Sequence, residues 1–288
     1  MDACLHAKCG GNCAAAKASE MSPTASTIYG AIEVSLSLAG VAWAARADGL
    51  HAVHRNSDPQ CRPNCGDAPL IARVGLLLLG GFLALAICVQ QRQVCSEDLM
   101  LIRLVRLSGD HDLTSAMTLV SMAAGPLLAA VLVPLGALVL LVRRRARSLR
   151  LYLATVIGIV GVEGVFKGLV HRPRPPFGGQ LVHPHLDSFP SGHVLGITVF
   201  LGVFLFLTLP SCRAQWLKWA LVSGCALWVV LTAASRVYLG AHYLTDTIGG
   251  LVLGIAWVLL CASMHLRLSK PRPLKTMEPS SALMPDGA

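Results

Sequence analysis

The chain has 288 residues, of which 54% are hydrophobic and only 14% charged, with a mean hydropathy of +0.62. Soluble domains carry roughly 25% charged residues, so the composition argues against a water-soluble globule, and the few charges exclude a disordered chain. The net charge of +9 and pI near 9.3 resemble those of nucleic-acid-binding domains, but the basic residues stand in short clusters between apolar runs. That arrangement belongs to topology signals and excludes a nucleic-acid partner.

Residues 1–69 form an N-terminal arm. Its Ala-rich run at 28–45 contains Glu33 and reads as an amphipathic surface helix or as part of a poorly ordered arm. Read instead as a signal peptide, with Ala42-Trp43-Ala44 near the cleavage point, it would invert the topology derived below. A start at Met21 is a further alternative. Cys4, Cys9 and Cys13 lie in this arm, and His51, His54, Cys61 and Cys65 match no strong zinc spacing.

Six apolar stretches follow, at 70–90, 114–142, 151–170, 193–210, 219–234 and 247–265. A bilayer core needs roughly 20 apolar residues as a helix, and no alternation of period two points to barrel strands. The expected fold is therefore all-α, a six-transmembrane-helix bundle over 70–266, followed by a basic, Pro-containing tail at 267–288. The second stretch is long enough to tilt or to protrude. Between the first two lies Leu99–Leu107, with the pattern of a short amphipathic helix lying on the membrane surface.

Arginines set the orientation. Arg143, Arg144, Arg145, Arg147 and Arg150 fill the second-to-third loop, Arg213 and Lys218 the fourth-to-fifth, and Arg267, Lys270, Arg272 and Lys275 the tail. With six spans these fall on one side, which the positive-inside rule makes cytoplasmic. The loops at 91–113, 171–192 and 235–246 then face outward.

Between residues 113 and 277 the only acids are Glu163, Asp187 and Asp246. Acids among spans are costly and point to function. Three polar clusters stand on the outward side: Lys167 to Pro175, Ser188-Phe189-Pro190-Ser191-Gly192-His193, and Ser235 to Asp246. Lys167, Arg174 and Arg236 donate without accepting, which suits a phosphate oxyanion. Ser191 and Gly192 open the fourth span, where unpaired backbone N–H groups and the helix dipole favour an anion. His193 follows at once, placed to protonate a leaving oxygen. His242 and Asp246, four apart, share a helix face. The carboxylate can hold the imidazole Nδ1–H and leave Nε2 free to attack. Glu163, one turn before Lys167, is expected to pair with it. His171, Arg172, His183, His185 and Asp187 are expected to form a solvated loop.

These clusters resemble the type 2 phosphatidic acid phosphatase superfamily, whose pattern K-x6-RP, PSGH and SR-x5-H-x3-D is met in full and in order within a resemblance covering roughly residues 95–265. Leu244 stands where many members have proline, and Val194 where alanine is common. The resemblance implies that His242 is the nucleophile forming a phosphohistidine, that His193 is the acid and then the base, and that Asp246 orients His242. It assigns Lys167, Arg174, Ser191, Gly192 and Arg236 to the phosphoryl oxygens. It implies no cofactor and no metal, and the sequence lacks the carboxylate clusters Mg²⁺ would want.

The function expected is that of an integral membrane phosphatase acting on a lipid phosphate or diphosphate, with its active site on the extracytoplasmic side and its C-terminus in the cytoplasm. A phosphotransferase using the same site, a vanadate-dependent haloperoxidase-like pocket and a non-enzymatic lipid transporter or scaffold stand beside it as alternatives.

Overall fold

The structure, a computed structural model, describes residues 67–91, 95–106, 111–177 and 187–269. The arm up to residue 66, with its cysteines and the 28–45 run, the loop residues His183 and His185, and the tail from Lys270 lie outside the described residues.

Every regular element among the described residues is helical: α1 (Ala68–Gln90), α2 (Cys95–Arg106), α3 (His111–Ala123), α4 (Pro126–Val142), α5 (Ala146–Val170), α6 (Gly192–Thr208), α7 (Gln215–Tyr238) and α8 (Leu244–Leu268). Six segments are long and apolar enough to cross a membrane: α1, α3 with α4, α5, α6 with the 3₁₀ turn Leu209–Ser211, α7, and α8. With exposed apolar side chains such as Leu77, Leu127, Leu141 and Val230 on their outer faces, these helices make an integral membrane protein; each satisfies its own backbone, as lipid requires.

The second span departs from the single helix expected at 114–142. It breaks at Ala124-Gly125, where the N–H groups of Ala124 and Gly125 turn back to Ser121 and Met122, and Pro126 starts α4 at a position where no N–H is needed. The break lies beside His193: a methyl on Gly125 would stand 3.5 Å from its Nε2.

The last helix is the hub. Of its most apolar 18 residues 44% are buried, against 6% for α3–α4, and it packs on α1, α6, α5, α7 and α2. Small residues allow this. A Cβ on Gly250 would lie 2.7 Å from the Ser191 carbonyl oxygen, and one on Gly254 2.9 Å from Thr198, so α6 and α8 touch nearly backbone to backbone. On the other side Phe82 of α1 stacks on Phe189 at 5.6 Å and meets Phe166 of α5 edge-on at 4.7 Å. This aromatic cluster supports the loop that leads into α6.

Chain reversals put all three polar clusters at one end. α5 stops at His171, which adopts a left-handed φ of 45° ahead of Pro173 and Pro175. α7 ends in a Schellman motif: Gly240, at φ 65°, donates to Val237, and Ala241 donates to the Arg236 carbonyl. That motif explains the five-residue spacing between Arg236 and His242, because it folds the histidine back over the helix end that carries the arginine. The arginines of the α4–α5 turn lie at the far end of α5, roughly 36 Å away for a 25-residue helix.

Replacing Gly240 by Val is expected to cost about 1–2 kcal/mol through its left-handed backbone. The measurement is the midpoint of thermal unfolding in detergent, which should fall relative to the parent protein.

Candidate active site

His242 is almost wholly buried. Its Nδ1 lies 2.9 Å from the Ser188 carbonyl oxygen, 3.4 Å from the Ser188 hydroxyl and 3.6 Å from Asp246 Oδ2. Nδ1 therefore carries the proton, donated chiefly to Ser188 with Asp246 close behind, and Nε2 is the ring nitrogen left free. Burial pushes the imidazole down to about 4, against the opposing pull of its hydrogen bond to Asp246, so the ring is neutral and nucleophilic at neutral pH.

Asp246 is itself fully buried. Its Oδ2 accepts the Ser188 hydroxyl and the Tyr243 backbone N–H at 3.0 Å, and its Oδ1 accepts Arg172 at 2.5 Å. Holding the Tyr243 N–H also caps α8. Arg172 overturns the expectation of a solvated loop. It is 7% exposed and lies 4.0 Å over the Tyr243 ring, and it bridges Asp246 to Asp98 of α2, with 2.8 Å to the latter. Burial alone would lower its guanidinium, but the two carboxylates raise it. His171 keeps to the expected exposed position, 3.4 Å from Asp187.

The phosphate-binding candidates converge on the same spot. Lys167 pairs with Glu163 at 2.6 Å, as its spacing predicts. The carboxylate also fills the space where a side chain on Gly192 would begin, so any larger residue there must displace Glu163. Arg174 reaches the Ala241 carbonyl at 3.4 Å, and its guanidinium is lowered by burial. Arg236 donates one terminal nitrogen to Ser121 of α3 while its Nε is buried without a protein partner. The Ser191 hydroxyl is likewise buried and unpaired.

One detail departs from expectation. The Ser191 N–H is occupied, donating to the Asp246 carbonyl oxygen at 3.0 Å, because α8 packs so closely under the start of α6. Ser191 thus offers an anion its side chain, while the first-turn N–H groups of α6 begin at Gly192.

A cavity of about 740 Å³ opens beside these groups. Lys167, Arg174, Gly192, His193 and His242 line one end. Pro126, Leu128, Val133, Val156, Val160 and Phe200, from α4, α5 and α6, line the rest. Sequence reasoning missed three contributors. Ser188 and Arg172 stood inside recognised clusters without a role, and Asp98 gave no signal beyond being an acid in the 91–113 loop.

The PAP2 superfamily profile matches residues 148–270. Phosphatidylglycerophosphatase B of Bacillus subtilis is 33% identical over 38% of this chain and 53% of its own length. Lipid A 1-phosphatase of Rhizobium etli is 31% identical over 44% and 58%. The chain thus spans little more than half the length of these two relatives. Undecaprenyl-diphosphatase of Sulfolobus acidocaldarius is 32% identical over 51% of this chain and 67% of its own. The crystal structure of a transmembrane PAP2-type phosphatidylglycerolphosphate phosphatase from Bacillus subtilis superposes with a TM-score of 0.62 at 26% identity, covering 69% of this chain and 98% of that one. With the motifs gathered at one end of the same bundle and a relative matched over two thirds of its length, the chain belongs to the PAP2 superfamily.

Proposed function

We propose that this protein is a lipid phosphatase that hydrolyses a lipid phosphate or diphosphate through a phosphohistidine on His242, without a metal ion. The observation that carries the reading is the cavity, whose cationic end holds both histidines and whose remainder is apolar and runs between α4, α5 and α6. A phosphate headgroup fits the first part and a hydrocarbon tail the second. The two buried, unpartnered donors, Ser191 Oγ and Arg236 Nε, support it further, since buried polar atoms without partners are rare and mark a ligand's place.

The steps follow from the positions. His242 Nε2 attacks phosphorus as the bond from phosphorus to the lipid or phosphate oxygen breaks. His193 gives that oxygen its proton. The phosphorylated ring is then cationic, and Asp246 and the Ser188 carbonyl stabilise it through Nδ1–H. Water, losing its proton to His193, attacks phosphorus, the P–N bond breaks, and His242 is regenerated. Lys167, Arg174, Arg236, Ser191 and the α6 N-terminus hold the phosphoryl oxygens, where charge stabilisation does most of the catalysis.

Undecaprenyl diphosphate, phosphatidylglycerol phosphate and phosphatidic acid are the candidate substrates. The basic cluster at the opposite end of the bundle supports, by the positive-inside rule, a site on the outer face and a C-terminus in the cytoplasm.

Purified protein should release phosphate from at least one such lipid in the presence of EDTA, and His242→Ala should abolish release while leaving the size-exclusion profile unchanged. Full activity in that variant, or strict dependence on Mg²⁺, sinks the mechanism; transfer of the phosphoryl group to an added alcohol would mark a phosphotransferase. Gly192→Ala should lower kcat/KM by at least about 100-fold, because the new methyl displaces Glu163 and with it Lys167. The acid limb of kcat/KM that reports the nucleophile should fall near pH 4. His242 is depressed and must be neutral to attack, so activity is held above that pH and lost as pH falls through it. A limb at the ordinary imidazole value near 6.5 would contradict this.

A further inference from the structure

We infer that Asp98 and Arg172 are positioning residues for the nucleophile, forming with Asp246 a buried three-charge bridge that fixes the orientation and net charge of the carboxylate behind His242. The inference rests on the proposed phosphatase reading and goes past its motif residues.

Three observations carry it. Arg172 spends one nitrogen on Asp246 Oδ1 at 2.5 Å and the other on Asp98 at 2.8 Å. Asp98 in turn accepts the Thr245 backbone N–H at 3.2 Å and the Thr245 hydroxyl, which ties α2 to the first turn of α8 beside Asp246. Asp98 and Asp246 are 4% and 0% exposed and Arg172 7%, so the charges act on one another with little water between them. With Oδ1 held, only Oδ2 is left toward the histidine ring. α2 is docked on the bundle through Asp98 and the fully buried Ile102.

The charges make a balance. Two carboxylates and one guanidinium leave one net negative charge, the counterpart of the positive charge His242 gains on phosphorylation. Removing Arg172 alone leaves two buried carboxylates close together, which favours protonation of one of them and weakens support for the intermediate. Removing Asp98 alone lets Arg172 neutralise Asp246. Removing both restores one negative charge, on Asp246.

The test uses full-length protein in detergent and a lipid phosphate that the parent enzyme hydrolyses. Arg172→Gln should lower kcat by about 100-fold and Asp98→Asn by about ten-fold, with KM changed less than about three-fold, since neither residue touches phosphate. The double variant Asp98→Asn/Arg172→Gln should exceed Arg172→Gln in kcat by about ten-fold. Because a second deletion also relieves an unpaired buried charge, the thermal midpoint is read beside kcat, and a rise in kcat without a matching rise in the midpoint is the readout that a merely structural role does not produce. Near-parental kcat in Arg172→Gln, or a double variant no faster than it, overturns the inference while phosphatase activity stands. Should Arg172→Gln fail to fold, Asp98→Asn decides alone: a ten-fold loss in kcat at unchanged KM supports the bridge, and parental kcat overturns it. A parent protein that releases phosphate from no lipid on the panel overturns the function and this inference together.

Discussion

A carboxylate without solvent at the end of an apolar bundle has to be partnered, and Asp246 is partnered from three sides. Ser188 reaches it from the loop before α6, Arg172 from the loop after α5, and the Tyr243 N–H from the start of its own helix. Its backbone carbonyl accepts Ser191 as well. Removing one partner of a buried ion pair generally costs about 3–5 kcal/mol, so these bonds constrain the loops that meet here. The same acid that orients His242 therefore joins the ends of α5, α6 and α8, and through Asp98 it fixes α2. In the proposed reaction, catalytic geometry and the stability of the bundle's polar end depend on the same bonds.

That dependence shapes the rest of the molecule. α8 brings the carboxylate within reach of all its donors because glycines on one face let α6 come within backbone contact. The aromatic cluster of Phe82, Phe166 and Phe189 holds the Ser188–Ser191 segment from below. The second span is the least buried of the six and is broken at the level of His193. The cavity runs between α4, α5 and α6, which in the proposed function lets a headgroup be held by charges while its tail stays among apolar side chains.

The site is organised before a substrate arrives. Nδ1 of His242 is committed to Ser188 and Asp246, Lys167 is held by Glu163, and Arg236 is anchored to Ser121. Donors that need no rearrangement are worth more in a water-poor pocket than the same donors in solution. Arg236 Nε and Ser191 Oγ remain buried and unpaired, which in the proposed reaction is the cost of keeping donors ready for phosphoryl oxygens.

The sequence by itself determined the six apolar spans, the positions of the three polar clusters and the Glu163–Lys167 pair. Apolar run length and the i,i+4 helix spacing are local properties that need no knowledge of the fold. The family resemblance came from spacing as well, and the SR-x5-H interval proved to be a Schellman turn, again a local feature. Only the tertiary structure decided that Arg172 is buried, that Asp98 just before the amphipathic stretch reaches the site, that the Ser188 carbonyl accepts the His242 Nδ1–H, and that the Ser191 N–H is already occupied. Each of these depends on where helices distant in sequence come to lie. Residues 98, 172 and 246 are joined only by the packing of α2 and α8 around the loop after α5, and a charge that reads as solvated in one dimension becomes a buried bridge once that packing removes the water.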